Sequence, residues 1–99
     1  MSLQIINNKG VYEICGNLTR QNLSLVHEKF SHLLNHYEEV VMSLDFIEKI
    51  DNYGLELLKS IRLKALQRSK VLFVLIKSNN HLLATLKRRK STYILREDY

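Results

Sequence analysis

Proline is absent from the 99 residues, glycine occurs three times and cysteine once, as Cys15. A chain without proline offers no Pro-rich linker, and its 45% hydrophobic content argues against disorder. One cysteine rules out an intrachain disulfide and fits a reducing compartment. Three scattered glycines cannot build a phosphate-cradling loop. The longest unbroken apolar run, Val71 to Ile76, falls far short of the roughly 20 residues that span a bilayer. The opening Met1-Ser2-Leu3-Gln4 shows no basic leader followed by an apolar stretch, so no secretory signal is expected. These absences together point to one cytoplasmic domain spanning residues 1–99, with a single core that needs no staples.

Acidic residues are scarce in one part of the chain only. Through Glu56 there are eight acidic and four basic residues; from Leu57 onward there are eleven basic and two acidic. No acidic residue falls between Leu57 and Lys90, although the whole chain carries only +5. Such asymmetry raises the prospect of an anionic partner, whether nucleic acid, a membrane surface or an acidic protein.

The hydrophobic pattern predicts the order ββαβαβαβ. Leu3 to Ile6 and Val11 to Cys15 flank the turn sequence Asn7-Asn8-Lys9-Gly10, which makes an antiparallel hairpin. Gly16-Asn17 is expected to break the second strand, and Thr19 or Asn22 to cap the helix that follows. On that helix Leu23, Val26, Phe30, Leu33, Leu34 and Tyr37 share one stripe. Val40 to Phe46 is a third strand, apolar on both faces in its middle. Leu55, Leu58, Ile61 and Ala65 recur at helical spacing, and that second helix ends near Arg68-Ser69-Lys70. Val71 to Ile76 is the next strand. A cap within Ser78-Asn79-Asn80 then starts a short helix over His81 to Lys90, with Leu82, Leu83 and Leu86 inward. Thr92 to Leu95 is expected to return as an edge strand, ahead of a polar tail. The expected architecture is α/β, with a small mixed sheet of four or five strands. It opens on an antiparallel hairpin, continues through parallel β-α crossovers, and has helices packed on the sheet.

No set of residues reads as catalytic, and no cofactor or metal is expected. Ser43 lies in a strand without a Gly-x-Ser-x-Gly elbow. Cys15 lacks a basic neighbourhood and reads as a small buried hydrophobe. His32 and His36 sit four apart on the first helix, with His27 further back, but no third ligand accompanies them; they read as solvated helix residues. Lys87, Arg88, Arg89 and Lys90 form a compact basic end to the third helix. That run either faces an anion or complements the helix dipole, and it is the basis for an alternative reading as a nucleic-acid-binding domain.

The junction Ile50-Asp51-Asn52-Tyr53-Gly54-Leu55, where strand gives way to helix, holds the sequence's most specific signal. Asp51-Asn52 sits where the first helical N–H groups need acceptors. Together with Gly16-Asn17-Leu18, Val40 to Asp45, and Val71 to Ile76 followed by Ser78, the junction resembles the STAS domain. That family is named for sulfate transporters and anti-sigma factor antagonists. The resemblance covers Val11 to about Leu95 and lacks the final helix that many members carry. It implies a non-enzymatic interaction module that binds an anti-sigma kinase-like protein through the start of the second helix. It assigns partner binding to Thr19, Ile47, Asp51, Asn52, Tyr53, Gly54 and Glu56. In the antagonists, the serine of Asp-Ser-x-Gly accepts a phosphoryl group that blocks binding. Asn52 stands at that position and has no hydroxyl, so this chain is expected not to switch there. Thr19, where many antagonists carry Asp, and Ser43 are the other hydroxyls considered as acceptors. An alternative within the resemblance is an accessory subunit docking on the ATPase of a membrane lipid transporter.

Overall fold

The structure, a computed structural model, describes residues 2–99. Its elements run β1 (Gln4–Asn8), β2 (Val11–Leu18), α1 (Leu23–His36), β3 (Glu39–Ser43), β4 (Ile47–Ile50), α2 (Asn52–Gln67), β5 (Val71–Leu75) and α3 (Asn80–Arg88). Short 3-10 turns at Arg20–Asn22 and Thr92–Ile94 complete the order. The α/β class, the mixed sheet and the opening hairpin are as the sequence predicts. Lys9 and Gly10, both at positive φ, make the two-residue turn that joins β1 to β2, and the Gly10 N–H donates to Asn7 Oδ1 at 2.8 Å.

The strands lie in the order β1-β2-β3-β5, with β4 also paired to β2. β1 is antiparallel to β2, whereas the β2–β3, β2–β4 and β3–β5 pairs are parallel. Strand β2 is the spine of the sheet. Its first part pairs with β3 through Val11, Tyr12 and Glu13, and its last part with β4 through Gly16, Asn17 and Leu18. Gly16 therefore does not end the strand, as its sequence context suggested. It takes φ +112° at a register shift and lets β2 continue. A Cβ there would stand 2.7 Å from the Ser2 carbonyl oxygen.

Two strand assignments are corrected. The expected third strand is shorter: β3 stops at Ser43, Leu44-Asp45-Phe46 turns the chain out, and an unexpected strand, β4, then pairs with β2. The break is tied to the loop between β5 and α3 by one side chain from each, Asp45 and Asn79. Asp45 Oδ1 accepts the N–H groups of Lys77 (2.8 Å), Ser78 (2.9 Å) and Asn79 (3.2 Å). Asn79 Nδ2 donates to the Leu44 and Ile47 carbonyls at 3.1 and 2.9 Å, while its Oδ1 caps α3 through the Leu82 N–H. The second correction concerns Thr92 to Leu95, which forms a 3-10 turn rather than a strand. The backbone pairs with the sheet one residue later, where Arg96 exchanges two backbone hydrogen bonds with Val74. Ser91, fully buried and with its N–H on the Leu86 carbonyl, ties this turn to the end of α3.

The principal core joins one face of the sheet to the helices. Val26, Phe30, Leu33 and Leu34 of α1 are buried there with Leu55, Leu58, Ile61 and Ala65 of α2 and Leu82 and Leu86 of α3. Tyr37, assigned to the α1 stripe, is exposed where the helix ends. The third strand, apolar on both faces in its middle, lies between β2 and β5 and is buried from Val40 to Ser43. Val41, Phe73 and Leu75 form a small second cluster, over which Tyr99 stacks at 5.2 Å and the Arg96 guanidinium at 5.0 Å from the Phe73 ring.

Candidate protein-docking site

The start of α2 is fixed by one carboxylate. Asp51, in extended conformation, is the N-cap: its Oδ1 accepts the Gly54 N–H at 2.8 Å. Its Oδ2 accepts the Arg20 N–H at 2.9 Å, so the same side chain ties the β2–α1 loop to the helix. The Asp51 N–H in turn reaches the Leu18 carbonyl at 3.4 Å. Two segments distant in sequence, residues 18–20 and 51–54, thus meet at one residue. Thr19 and Asn22 make no side-chain cap on their own helical segments, contrary to expectation. Thr19 Oγ1 pairs with Gln21 Oε1, and Asn22 Nδ2 donates to the Asn17 carbonyl at 2.8 Å.

Burial alone would raise the Asp51 pKa, but hydrogen bonds from the N–H groups of Gly54, Arg20, Tyr53 and Asp51 itself outweigh it. The net result is a carboxyl below its ordinary value. A folded pKa below the unfolded one stabilises the fold above the ordinary carboxylate range, and that contribution is lost as pH falls through the folded value. Asp51→Ala is expected to cost about 1–2 kcal/mol at neutral pH. The gap to wild type in urea melts should narrow below about pH 4; a gap independent of pH would show that the charged cap contributes nothing.

Asn52 and Tyr53 face outward from this start. Asn52 is the first helical residue rather than the cap that its position in the sequence suggested. Its exposed Oδ1 accepts a hydrogen bond from Arg89 Nη1 across 37 positions of sequence. Tyr53 is 54% exposed, with the Arg20 guanidinium 5.4 Å from its ring centroid. Gly54 is buried against the end of β2. Glu56 is exposed and pairs with Lys59 at 3.2 Å.

Of the residues assigned to partner binding, Ile47 is corrected. At 4% exposure it belongs to the core beneath the junction, because it opens β4, a strand missing from the sequence reading. Thr19 is half-buried at the same end of the molecule as Asp51. Lys87, Arg88, Arg89 and Lys90 are all exposed, but only Arg89 reaches the junction. Ser43 is buried, and its Oγ accepts the Asp45 N–H, which removes it as an accessible phosphoacceptor. Sequence reasoning missed Arg20, whose backbone and side chain both serve the junction. Its place beside Thr19 in the loop facing Asp51 was the available signal.

The other chemistry-bearing side chains lie apart. Cys15 is half-buried rather than buried. Desolvation, with the Glu13 carboxylate second, pushes its thiol above its ordinary pKa, opposite to what a thiolate nucleophile requires. His32 and His36 stack at 4.2 Å on the exposed side of α1. Among the described residues no three His, Cys, Asp or Glu side chains are grouped to hold a metal ion, and no helix is long and apolar enough to cross a membrane.

No protein-family model matches the chain, and no curated protein matches its sequence. Solved structures do match in three dimensions. The anti-sigma factor antagonist SpoIIAA in its unphosphorylated form superposes with a TM-score of 0.60 at 12% identity, over 84% of this chain and 80% of that one. The Bacillus cell fate determinant SpoIIAA in the phosphorylated form gives 0.65 at 11% identity, over 99% and 92%. At such identity the likeness speaks for the backbone alone: the mixed sheet, its opening hairpin and its three helices form the STAS fold of the SpoIIAA structures.

Proposed function

We propose that this domain is a non-enzymatic interaction module that docks a regulatory protein through the start of α2, and that it does so constitutively in the cytoplasm. The observation that carries the reading is Asn52 and Tyr53, side by side and exposed on a helix start that Asp51 and Gly54 hold rigidly in place. Tyrosine and arginine are the residue types over-represented among interface anchors, and Arg20 lies over Tyr53. Asn52 supplies an amide where an antagonist of the SpoIIAA kind would carry a phosphoacceptor, so phosphorylation at this residue does not release the partner. An anti-sigma kinase-like protein is the partner that this reading favours. A transporter ATPase or nucleic acid would be the alternatives.

Affinity capture from the source cell with wild-type, Asn52→Glu and Tyr53→Ala baits tests this. An acidic residue in the first turn favours the helix, so Asn52→Glu leaves the fold intact and any loss reports on the surface. Each variant should weaken the captured partner by about tenfold or more, the size of an interface hot spot. An ATP-binding anti-sigma kinase lost by both variants would fix the partner's class, whereas a transporter ATPase lost in the same way would give the alternative. Undiminished capture by both variants would remove the start of α2 from consideration.

A further inference from the structure

We infer that the partner's docking element is acidic, and that Arg20 and Arg89 are the side chains that engage its carboxylates. This rests on the start of α2 being the docking surface. Two exposed cations, Arg20 and Arg89, contact the residues of that start, and two more, Lys49 and Arg88, line the hollow between β4 and α3 beside Arg89. None of the four pairs with a carboxylate among the described residues. The carboxylates nearby are mostly spent elsewhere. Both Asp51 oxygens are taken by backbone N–H groups, and Glu56 holds Lys59. Glu48 alone remains, sharing a shallow hollow of about 300 Å³ with Lys49, Arg88 and Arg89. The helix adds its own partial positive charge at this end.

How the two arginines are held matters as much as their number. Arg89 is anchored by a neutral amide, Asn52 Oδ1, and Arg20 by a neutral ring, Tyr53. Each guanidinium is therefore positioned without being neutralised. A planar fork that is already oriented loses less freedom on meeting a carboxylate, and two-point carboxylate recognition is what arginine does better than lysine. The setting fits a protein better than a polyphosphate or a lipid surface. Arg20 already takes one face of the Tyr53 ring, which leaves less for a base to stack on, and the large apolar side chains exposed near these cations, Tyr53 and Phe46, are too few for an interfacial wedge.

Titration of a labelled oligoglutamate peptide tests the charge assignment. Arg20→Glu and Arg89→Glu would be compared with Lys9→Glu and Arg68→Glu, exposed substitutions that change net charge equally but lie on the β1–β2 turn and at the far end of α2. Each junction variant should weaken binding about tenfold and each control by about twofold, the controls feeling only the long-range field. Equal losses in all four would overturn the inference, since no local site would exist. Tighter binding to phosphatidylglycerol vesicles or to a short DNA duplex, with the same dependence on Arg20 and Arg89, would overturn it in favour of those surfaces. Capture of the natural partner separates this inference from the reading beneath it. A partner lost by Asn52→Glu and Tyr53→Ala but kept by both arginine reversals leaves the docking surface standing and its acidic complement disproved. Loss by all four junction variants, with wild-type melting behaviour, supports both.

Discussion

Replacing Gly54 by alanine is expected to destabilise the domain by about 3 kcal/mol, the upper part of the usual range for overpacking. Gly54 does not need an unusual backbone conformation; it needs space. A Cβ at this position would stand 2.2 Å from the Leu18 carbonyl oxygen, and 3.0 Å from both the Leu18 carbonyl carbon and Ile50 Cγ1. The first two of these atoms are backbone, in the last residue of β2, and Leu18 is itself fully buried and paired to Ile50 of β4. A rotamer change cannot relieve that contact. Either the helix start or the end of the strand must move, and the Asp51 bonds that join them would be strained with it. Urea melts would read the effect as a lower midpoint with an unchanged slope. A loss under about 1 kcal/mol would mean that the helix is not pressed against the strand as described. The same substitution should lower partner affinity, because Asn52 and Tyr53 ride on the displaced turn.

Phe30→Ala is expected to cost about 3–5 kcal/mol, the transfer free energy of a large ring plus the cavity it leaves. Phe30 is fully buried on α1 and meets the Tyr12 ring edge-on at 6.4 Å, so it pins α1 to the centre of the sheet. A domain of this size has a total stability of about 5–15 kcal/mol. The variant should therefore be partly unfolded under conditions where wild type is fully native, with a sharply lowered urea midpoint. If the loss stayed below about 1 kcal/mol, α1 would not be held by this ring. The two variants probe different things: Phe30→Ala tests the attachment of a helix, and Gly54→Ala the geometry of the site.

Much of this fold was legible because its signals are local. The α1 stripe of Val26, Phe30, Leu33 and Leu34 repeats every turn, and all four side chains are buried. Val71 to Ile76 has the length and the β-branched content of a covered strand. Asp51 three residues before Gly54 is a capping pattern that can be seen without any neighbour in space. The errors arose where local content was ambiguous. Ile47-Glu48-Lys49-Ile50 is too short to declare itself, and it becomes a strand because the last part of β2 lies beside it. Thr92 to Leu95 has strand-like residues, yet the turn anchored by buried Ser91 curls it into a 3-10 segment.

The sequence by itself determined the three helices, the hairpin turn and the cap of α2, since each depends on side chains within a few positions of one another. It also placed Asn52, without a hydroxyl, at the exposed junction. The tertiary structure alone decided what surrounds that junction. Arg20 reaches Asp51 across 31 positions and Arg89 reaches Asn52 across 37, whereas Ile47, close by in sequence, is turned into the core. Such contacts follow from how every helix packs on one sheet, and no spacing rule along the chain encodes them. The charge of the site is a property of that packing: Asp51 gives both its oxygens to backbone N–H groups, and Arg20 and Arg89 are left without a carboxylate among the described residues.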